Sequence, residues 1–213
     1  GFNSIGFDYP ILHALCRMGQ ANARTLYDKA QAIIESQDDN RWMHMVKPAD
    51  RLADQLDLFL IHHFDNRARC TGLKVLEFNM RADNISDLPF PVGTMLTQDQ
   101  VPVLKRYNRH DVLQTRQFYH HSTESIRFRE ELTARYQRDF MNHNDTKIGK
   151  DYFVMELEAA GVVCYDYGPQ GRTPRQTRRP SIALRDAILP WITFQEPEFQ
   201  RVLEWLKEQT ITE

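Results

Sequence analysis

Cysteine is scarce in this 213-residue chain: Cys16, Cys70 and Cys164 are odd in number and far apart. Such spacing offers neither a zinc-ligand pattern nor a disulfide framework. It predicts reduced thiols and an intracellular, cytoplasmic protein. Long apolar runs are missing as well. Leu58-Phe59-Leu60-Ile61 is among the longest, far short of the ~20 residues that cross a bilayer, so no membrane association is expected. No signal peptide opens the sequence. Nor does one sign of charge dominate: 27 Lys and Arg face 29 Asp and Glu, a formal net charge of −2. No global cationic field announces a nucleic-acid partner, although an enzyme that holds a polyanion through metal ions does not need one. Repeats and low-complexity tracts are absent. What remains is ordinary for a globular chain, with 41% hydrophobic and 26% charged residues, enough apolar content for a core.

Apolar spacing predicts a helix from Asp8 to Met18, where Pro10 suits the first turn and Ile11, Leu12, Leu15 and Met18 share a face. A second helix is predicted from Ala21 to Ser36, followed by a polar break at Gln37–Asn40. Gln55–His62 has the composition and length of a short buried strand, with Leu56–Ile61 as its apolar part. A short helix is predicted over Thr71–Met80, then a loop held by Pro89 and Pro91. The longest helical signal runs from Thr97 or Asp99 to Tyr136. Thr97 with Gln100 makes a capping box, whereas Pro102 favours Asp99 as the cap. Another helix is predicted over Thr146–Ala160 and a last one over Glu196–Gln209. Between them, residues 165–181 carry Gly168, Pro169, Gly171, Pro174 and Pro180 among Arg172, Arg175, Arg178 and Arg179. This reads as an exposed, mobile basic loop. Its arginines suit either solvent or nucleic-acid phosphates.

Two short segments carry the chemistry. The first is Asn3-Ser4-Ile5-Gly6-Phe7-Asp8. A carboxylate in a first helical turn is favoured by the exposed amides and the helix dipole. Here Phe7 is placed to anchor the turn while Asp8 faces a cleft. The second is Tyr107-Asn108-Arg109-His110-Asp111. Tyr107 and Asp111 are four residues apart, hence on one helix face. A carboxylate can bind a divalent cation and a phenol at that spacing can hold a water beside it. Each pattern alone also suits an ordinary solvated helix. Asp57, inside the apolar run, reads as a structural hydrogen-bond acceptor rather than a ligand. His62-His63 and His120-His121 cannot each converge on one ion from regular structure.

In order and separation the two segments resemble the second and third motifs of the DnaQ-like, DEDD-type 3′–5′ exonucleases, in the tyrosine-bearing subclass. Leu56-Asp57-Leu58 followed by Gly72-Leu73-Lys74-Val75-Leu76 resembles the strand and helix that precede the third motif in proofreading domains of family B DNA polymerases. Asp145-Thr146-Lys147-Ile148-Gly149 is most similar to bacteriophage-type polymerases. The resemblance implies an α/β, ribonuclease H-like fold with a partial exonuclease domain over residues 1–136. Residues 137–213 then form a helical segment leading toward a polymerase module in the same chain. It implies Mg²⁺ or Mn²⁺ as a metal pair held in part by Asp8 and Asp111, with Tyr107 positioning water and Asp8, Tyr107 and Asp111 as the catalytic residues. Asn3 and Phe7 are implied to contact the substrate, a single-stranded 3′ end of DNA, in a bacterial or phage-infected cell. Some members of the family use histidine near Tyr107, which makes His110 a minor alternative.

The family's first motif, an Asp-x-Glu on the first strand, precedes the second motif, and here nothing precedes it. A truncated, mostly helical and marginally stable fragment with little activity is therefore expected. Glu156 and Glu158 imitate the missing pair but are two apart on a predicted helix. If the resemblance holds, Asp8 and Asp111 face one cleft roughly 4–8 Å apart, given the ~3.5–4 Å separation of paired catalytic metals. The helix of Tyr107 and Asp111 is also expected to pack near the helix starting at Asp8. A stand-alone exonuclease of repair or RNA processing, and a catalytically dead nucleic-acid- or protein-binding module, are the alternatives.

Overall fold

The computed structural model describes residues 1–36, 42–176 and 178–212. The polar break anticipated at 37–40 lies outside the described residues. The chain divides into two compact units, Gly1–Tyr152 and Phe153–Glu213. Among the described residues no helix is long and apolar enough to cross a membrane.

Helices build the first unit. α1 spans Asp8–Arg17 and α2 spans Ala23–Glu35, with Asn22 capping α2 by accepting from the Thr25 amide at 3.2 Å. These two pack on each other. A single 3₁₀ turn at Pro48–Asp50 follows. The segment read as a buried strand is instead a one-turn helix, α3, Leu58–Ile61. Two local causes explain this. The Asp57 side chain caps the turn by accepting from the Phe59 amide at 3.1 Å. Among the described residues, the extended chain meets another backbone at a single point, where the Gly1 amine donates to the Leu56 carbonyl at 2.7 Å and the Leu58 amide donates to the Gly1 carbonyl at 2.9 Å. Those two bonds are the pattern of a parallel bridge between Gly1 and Asp57. A four-residue apolar run does not by itself distinguish strand from helix. In the helical form Leu58 and Ile61, three apart, both reach the core.

α4 spans Leu73–Asn79 and packs on α5, Val101–His121. The side chain of Gln100 accepts from the Thr97 amide at 3.0 Å, half of the anticipated capping box, although the regular helix begins only at Val101. The long helical signal is interrupted at Ser122, and α6 continues over Thr123–Tyr136. The cause is hydroxyl back-bonding, which competes with the helical ladder. Ser122 Oγ donates to the Phe118 carbonyl at 2.8 Å and Thr123 Oγ1 to the His120 carbonyl at 2.8 Å. α7 spans Asp145–Ala159, and the boundary between the units falls within it. The main core joins Leu58, Ile61, Leu76, Phe118 and Ile126, with Phe2, Phe64 and Met141 packed against it. It ties α3 to α4, α5 and α6. The principal neighbours of α5 are thus α4 and α6, and that of α1 is α2, rather than α1 packing on α5.

Asp151 on α7 is buried, with Lys147 Nζ at 2.9 Å, Arg138 Nη2 at 3.2 Å and His143 Nδ1 at 3.3 Å. Burial pushes its carboxyl up, but the Lys147 hydrogen bond and the surrounding cations outweigh that and hold it below the usual range. A depressed folded-state value means stabilisation that is complete above about pH 4 and lost as pH falls through the folded value. Asp151→Asn is therefore expected to destabilise the chain at pH 7 and to unfold like the parent at strongly acid pH. Urea midpoints at the two pH values measure this, and a penalty that does not shrink on acidification would contradict it.

The second unit holds the strands. β1, Tyr165–Gly168, and β2, Gly171–Pro174, form an antiparallel hairpin with Tyr165 opposite Pro174 and Tyr167 opposite Arg172. The segment read as a mobile loop is thus partly a ribbon. Its Gly and Pro residues serve the turn: Pro169 suits the second turn position, and Gly171, at φ 100°, occupies a conformation other residues avoid. β3, Ser181–Ala183, pairs antiparallel with β4, Thr210–Thr212, around α8, Leu184–Ala187, and α9, Pro197–Lys207.

Candidate functional site

The turn that carries the first motif is built on Asp57. Asn3 adopts φ 55°, a left-handed conformation that asparagine tolerates better than most residues. The chain then winds tightly into α1, with the Phe7 amide on the Asn3 carbonyl at 3.0 Å and the Tyr9 amide on the Ser4 carbonyl at 2.8 Å. A Cβ at Gly6 would lie 2.7 Å from Asn3 Oδ1, so the glycine leaves room for the Asn3 amide. Asp57, only 1% exposed, accepts from the Ile5 amide at 2.9 Å and the Phe59 amide at 3.1 Å. Its own amide donates to Asn142 Oδ1 at 2.8 Å, and Asn142 Nδ2 donates to the Gln55 carbonyl at 2.6 Å. Asp57 is thus a structural acceptor.

Asp8, the first residue of α1, reaches solvent above this turn. Desolvation by the packed turn beneath it, and then the negative charge of Asp57, push its carboxyl up. Solvent screens that effect, so its weight in stability is small. Burial pushes Asp57 up too, against its amide donors. A cation beside Asp8 would relieve both charges.

The second motif lies within a larger cluster. Lys74 on α4 places Nζ 2.6 Å from Asp111 Oδ1 and 3.0 Å from Glu77 Oε1, and 4.8 Å from the centre of the Tyr107 ring. Glu77, wholly buried, also holds His110 Nε2 at 3.1 Å. Tyr107 and Asp111 therefore do share one side of α5, and a cation sits between them. Burial, and then the Asp111 charge, push the Tyr107 phenol up, so it keeps its proton at neutral pH and can donate. Burial pulls Lys74 down, but its hydrogen bonds to Asp111 and Glu77 outweigh this and raise it. His110 faces Glu77 and is held there, away from the role of water-positioning group considered for it.

Asp8 and Asp111 have different charged neighbours among the described residues: Asp57 and the Gly1 ammonium for Asp8, Lys74 for Asp111. Glu156 and Glu158 lie exposed on α7. Lys74 and Glu77 are the site residues that sequence reasoning passed over. Their i, i+3 spacing on a short helix was the available signal, and it is shared by many solvated helices.

Between the first motif and α3 is a cavity of about 260 Å³, with an apolar floor of Phe59, Leu60 and Phe64 beside Asn3, Gly6 and Asp57. Comparison of the chain with protein-family models, curated proteins and solved structures finds no match.

Proposed function

We propose that this chain carries part of a metal-dependent 3′–5′ exonuclease site of the ribonuclease H-like type, acting on single-stranded DNA ends beside a polymerase module. The observation that carries the reading is the grouping of Tyr107, Asp111 and Lys74 on one side of α5.

The donor set suits the metal. Asp8 and Asp111 are hard oxygen ligands of the kind Mg²⁺ and Mn²⁺ take. Among the described residues no three His, Cys, Asp or Glu form a group that could hold a metal ion. The other ligands would therefore be waters and substrate oxygens, as is usual for Mg²⁺. Bound divalent cations supply Lewis-acid activation of the phosphodiester and of the attacking water. The side chains do the rest. Tyr107 holds the water through its protonated hydroxyl. Lys74 fixes the Asp111 carboxylate and offers positive charge toward the phosphate. Glu77 fixes Lys74, and His110 fixes Glu77. Asn3 and Phe7 contact the terminal nucleotide, whose base the cavity beside Asn3 accepts.

A non-catalytic nucleic-acid-binding module is the second reading, favoured by the 2.6 Å ion pair that already satisfies Asp111. Mn²⁺ titration followed by NMR separates the two. Under the nuclease reading, amides near Asp8 and near Asp111 broaden together, and Asp8→Ala removes both effects. Release of nucleotides from a 5′-labelled single strand is the functional counterpart. Residues 1–213 are expected to release little. The release that does occur is expected to fall at least ~100-fold on Asp111→Ala, in line with the loss of a group that stabilises transition-state charge. Broadening at only one of the two carboxylates, or release indifferent to Asp111, would end the nuclease reading.

A further inference from the structure

The exonuclease reading leaves the β1–β2 ribbon unused, and the ribbon has a chemistry of its own. Cross-strand partners in an antiparallel pair share a face, as do residues two apart on one strand. Tyr165, Tyr167, Arg172 and Pro174 therefore lie on one face, and Asp166 and Thr173 on the other. On the first face the Arg172 guanidinium lies 4.6 Å from the centre of the Tyr165 ring, which is buried beneath it. Arg172 is also directly opposite Tyr167, a residue 79% exposed. An exposed aromatic ring thus stands beside a guanidinium that is held by a ring rather than by a carboxylate. On the other face Asp166 is 3.8 Å from Arg175. Arg175, Arg178 and Arg179 follow β2 directly, so residues 165–180 carry four arginines against the single acid Asp166.

We propose that this ribbon binds single-stranded nucleic acid, one base stacking on Tyr167 while Arg172 and the arginines after β2 take the adjoining phosphates. Every base offers a π-face, so stacking of this kind tolerates any sequence, and the guanidinium fork suits phosphate oxygens. A net charge of −2 over the whole chain does not oppose this, because screening confines charge effects to about 8–10 Å. The favourable field is local to the ribbon. A folded acidic peptide or an anionic membrane would also meet the arginines, but neither supplies flat rings for Tyr167. The exposed aromatic beside the cation is what favours a nucleic acid.

The test is fluorescence anisotropy of a labelled oligothymidylate of about 12 nucleotides, within the site sizes of single-strand binders, with EDTA present to prevent hydrolysis. Tyr167→Ala is expected to weaken binding about tenfold, Tyr167→Phe to restore it, and neither to alter the salt dependence. On an abasic strand of the same length, Tyr167→Ala is expected to have no effect. Arg172→Ala is expected to reduce the slope of log K against log salt by about 0.7, the value of one phosphate contact on a single strand. Arg172→Lys should keep the slope. Arg127→Ala, at an exposed arginine of α6 outside both sites, should bind like the parent, and because EDTA is present, failure of the nuclease reading leaves this result intact. The inference is overturned if Tyr167→Ala binds oligothymidylate like the parent. It is overturned equally if the abasic strand or heparin loses as much as the thymidylate. Vesicles containing phosphatidylserine that bind as tightly, with the same dependence on Tyr167, would assign the ribbon to a membrane instead.

Discussion

Replacing Arg129 by methionine is expected to cost the first unit about 3–5 kcal/mol, the range seen when a buried charged group is removed from its partners. For a unit of this size the melting temperature then falls by roughly 10 °C. Arg129 is 1% exposed and spends every nitrogen. Nε donates to the His143 carbonyl at 2.8 Å, Nη1 to the Ser125 carbonyl at 2.8 Å, and Nη2 to the Ile61 carbonyl at 3.2 Å and to Asp145 Oδ1 at 2.7 Å. The carbonyls of Ile61 and His143 lie at a helix end and in a turn, where no helical ladder satisfies them. Methionine fills most of the volume but leaves them buried without a donor. The ion pair is the smaller part, because the Asp145 side chain is 88% exposed and exposed partners contribute little. Asp145→Asn is therefore expected to melt within a few degrees of the parent. An Asp145→Asn variant as unstable as Arg129→Met would show that the charge pair, not the carbonyl contacts, holds α6 to α3.

Removal of the Asp57 carboxylate has the next largest expected effect. Asp57→Ala strands the amides of Ile5 and Phe59 in a dry site. At about 1 kcal/mol for each orphaned donor the loss is about 2 kcal/mol at neutral pH. Asp57→Asn keeps one acceptor and turns an NH₂ toward an amide that needed an oxygen, so it should lose nearly as much. The pH dependence carries an opposite sign from that of Asp151. Burial raises the folded-state value of Asp57 above its unfolded value. The folded parent thus binds a proton more readily than the unfolded chain, and gains stability as pH falls from neutral toward about 4. The variants lack that gain, so their deficit should widen on acidification. Thermal melts at pH 7 and pH 5 measure it, with hydrogen exchange reporting whether the amides of residues 3–7 open first. A deficit that narrows toward acid would mean that Asp57 is stabilised as a carboxylate after all.

What the sequence made legible follows from the range of each signal. The helix starting at Asp8, the short helix ending near Met80 and the structural role of Asp57 all rest on local spacing, and the structure places them close to where that spacing points. Leu58–Ile61 was misread because four apolar residues satisfy both periods. The choice fell to a cap from Asp57 and to a bridge with Gly1, neither of which periodicity encodes. Ser122 gave no warning, since a serine inside a helix interrupts it only when its hydroxyl turns back to Phe118 and is met there by His62, with Nε2 at 2.8 Å. In the ribbon, four residues per strand were too few to outweigh the density of Gly and Pro. Lys74 and Glu77 stayed invisible for another reason. Their importance comes from Asp111 and His110, more than thirty residues away, and no pattern within α4 reveals that meeting.

The bridge between Gly1 and Asp57 also bears on the order of folding. The Gly1 amine and the Leu56 carbonyl that it reaches are 55 residues apart, and closing a flexible segment of that length costs about 3.5 kcal/mol of chain entropy before any constant contribution. The contacts of α4 with α5 and of α1 with α2 close shorter segments and should form earlier. The turn from Asn3 to Asp8, anchored across that gap, is then expected among the last parts of the unit to assemble and the first to open. Its amides should exchange through a local opening well below the global unfolding free energy. Asp8 would then come into place only after the cluster around Asp111 already stands.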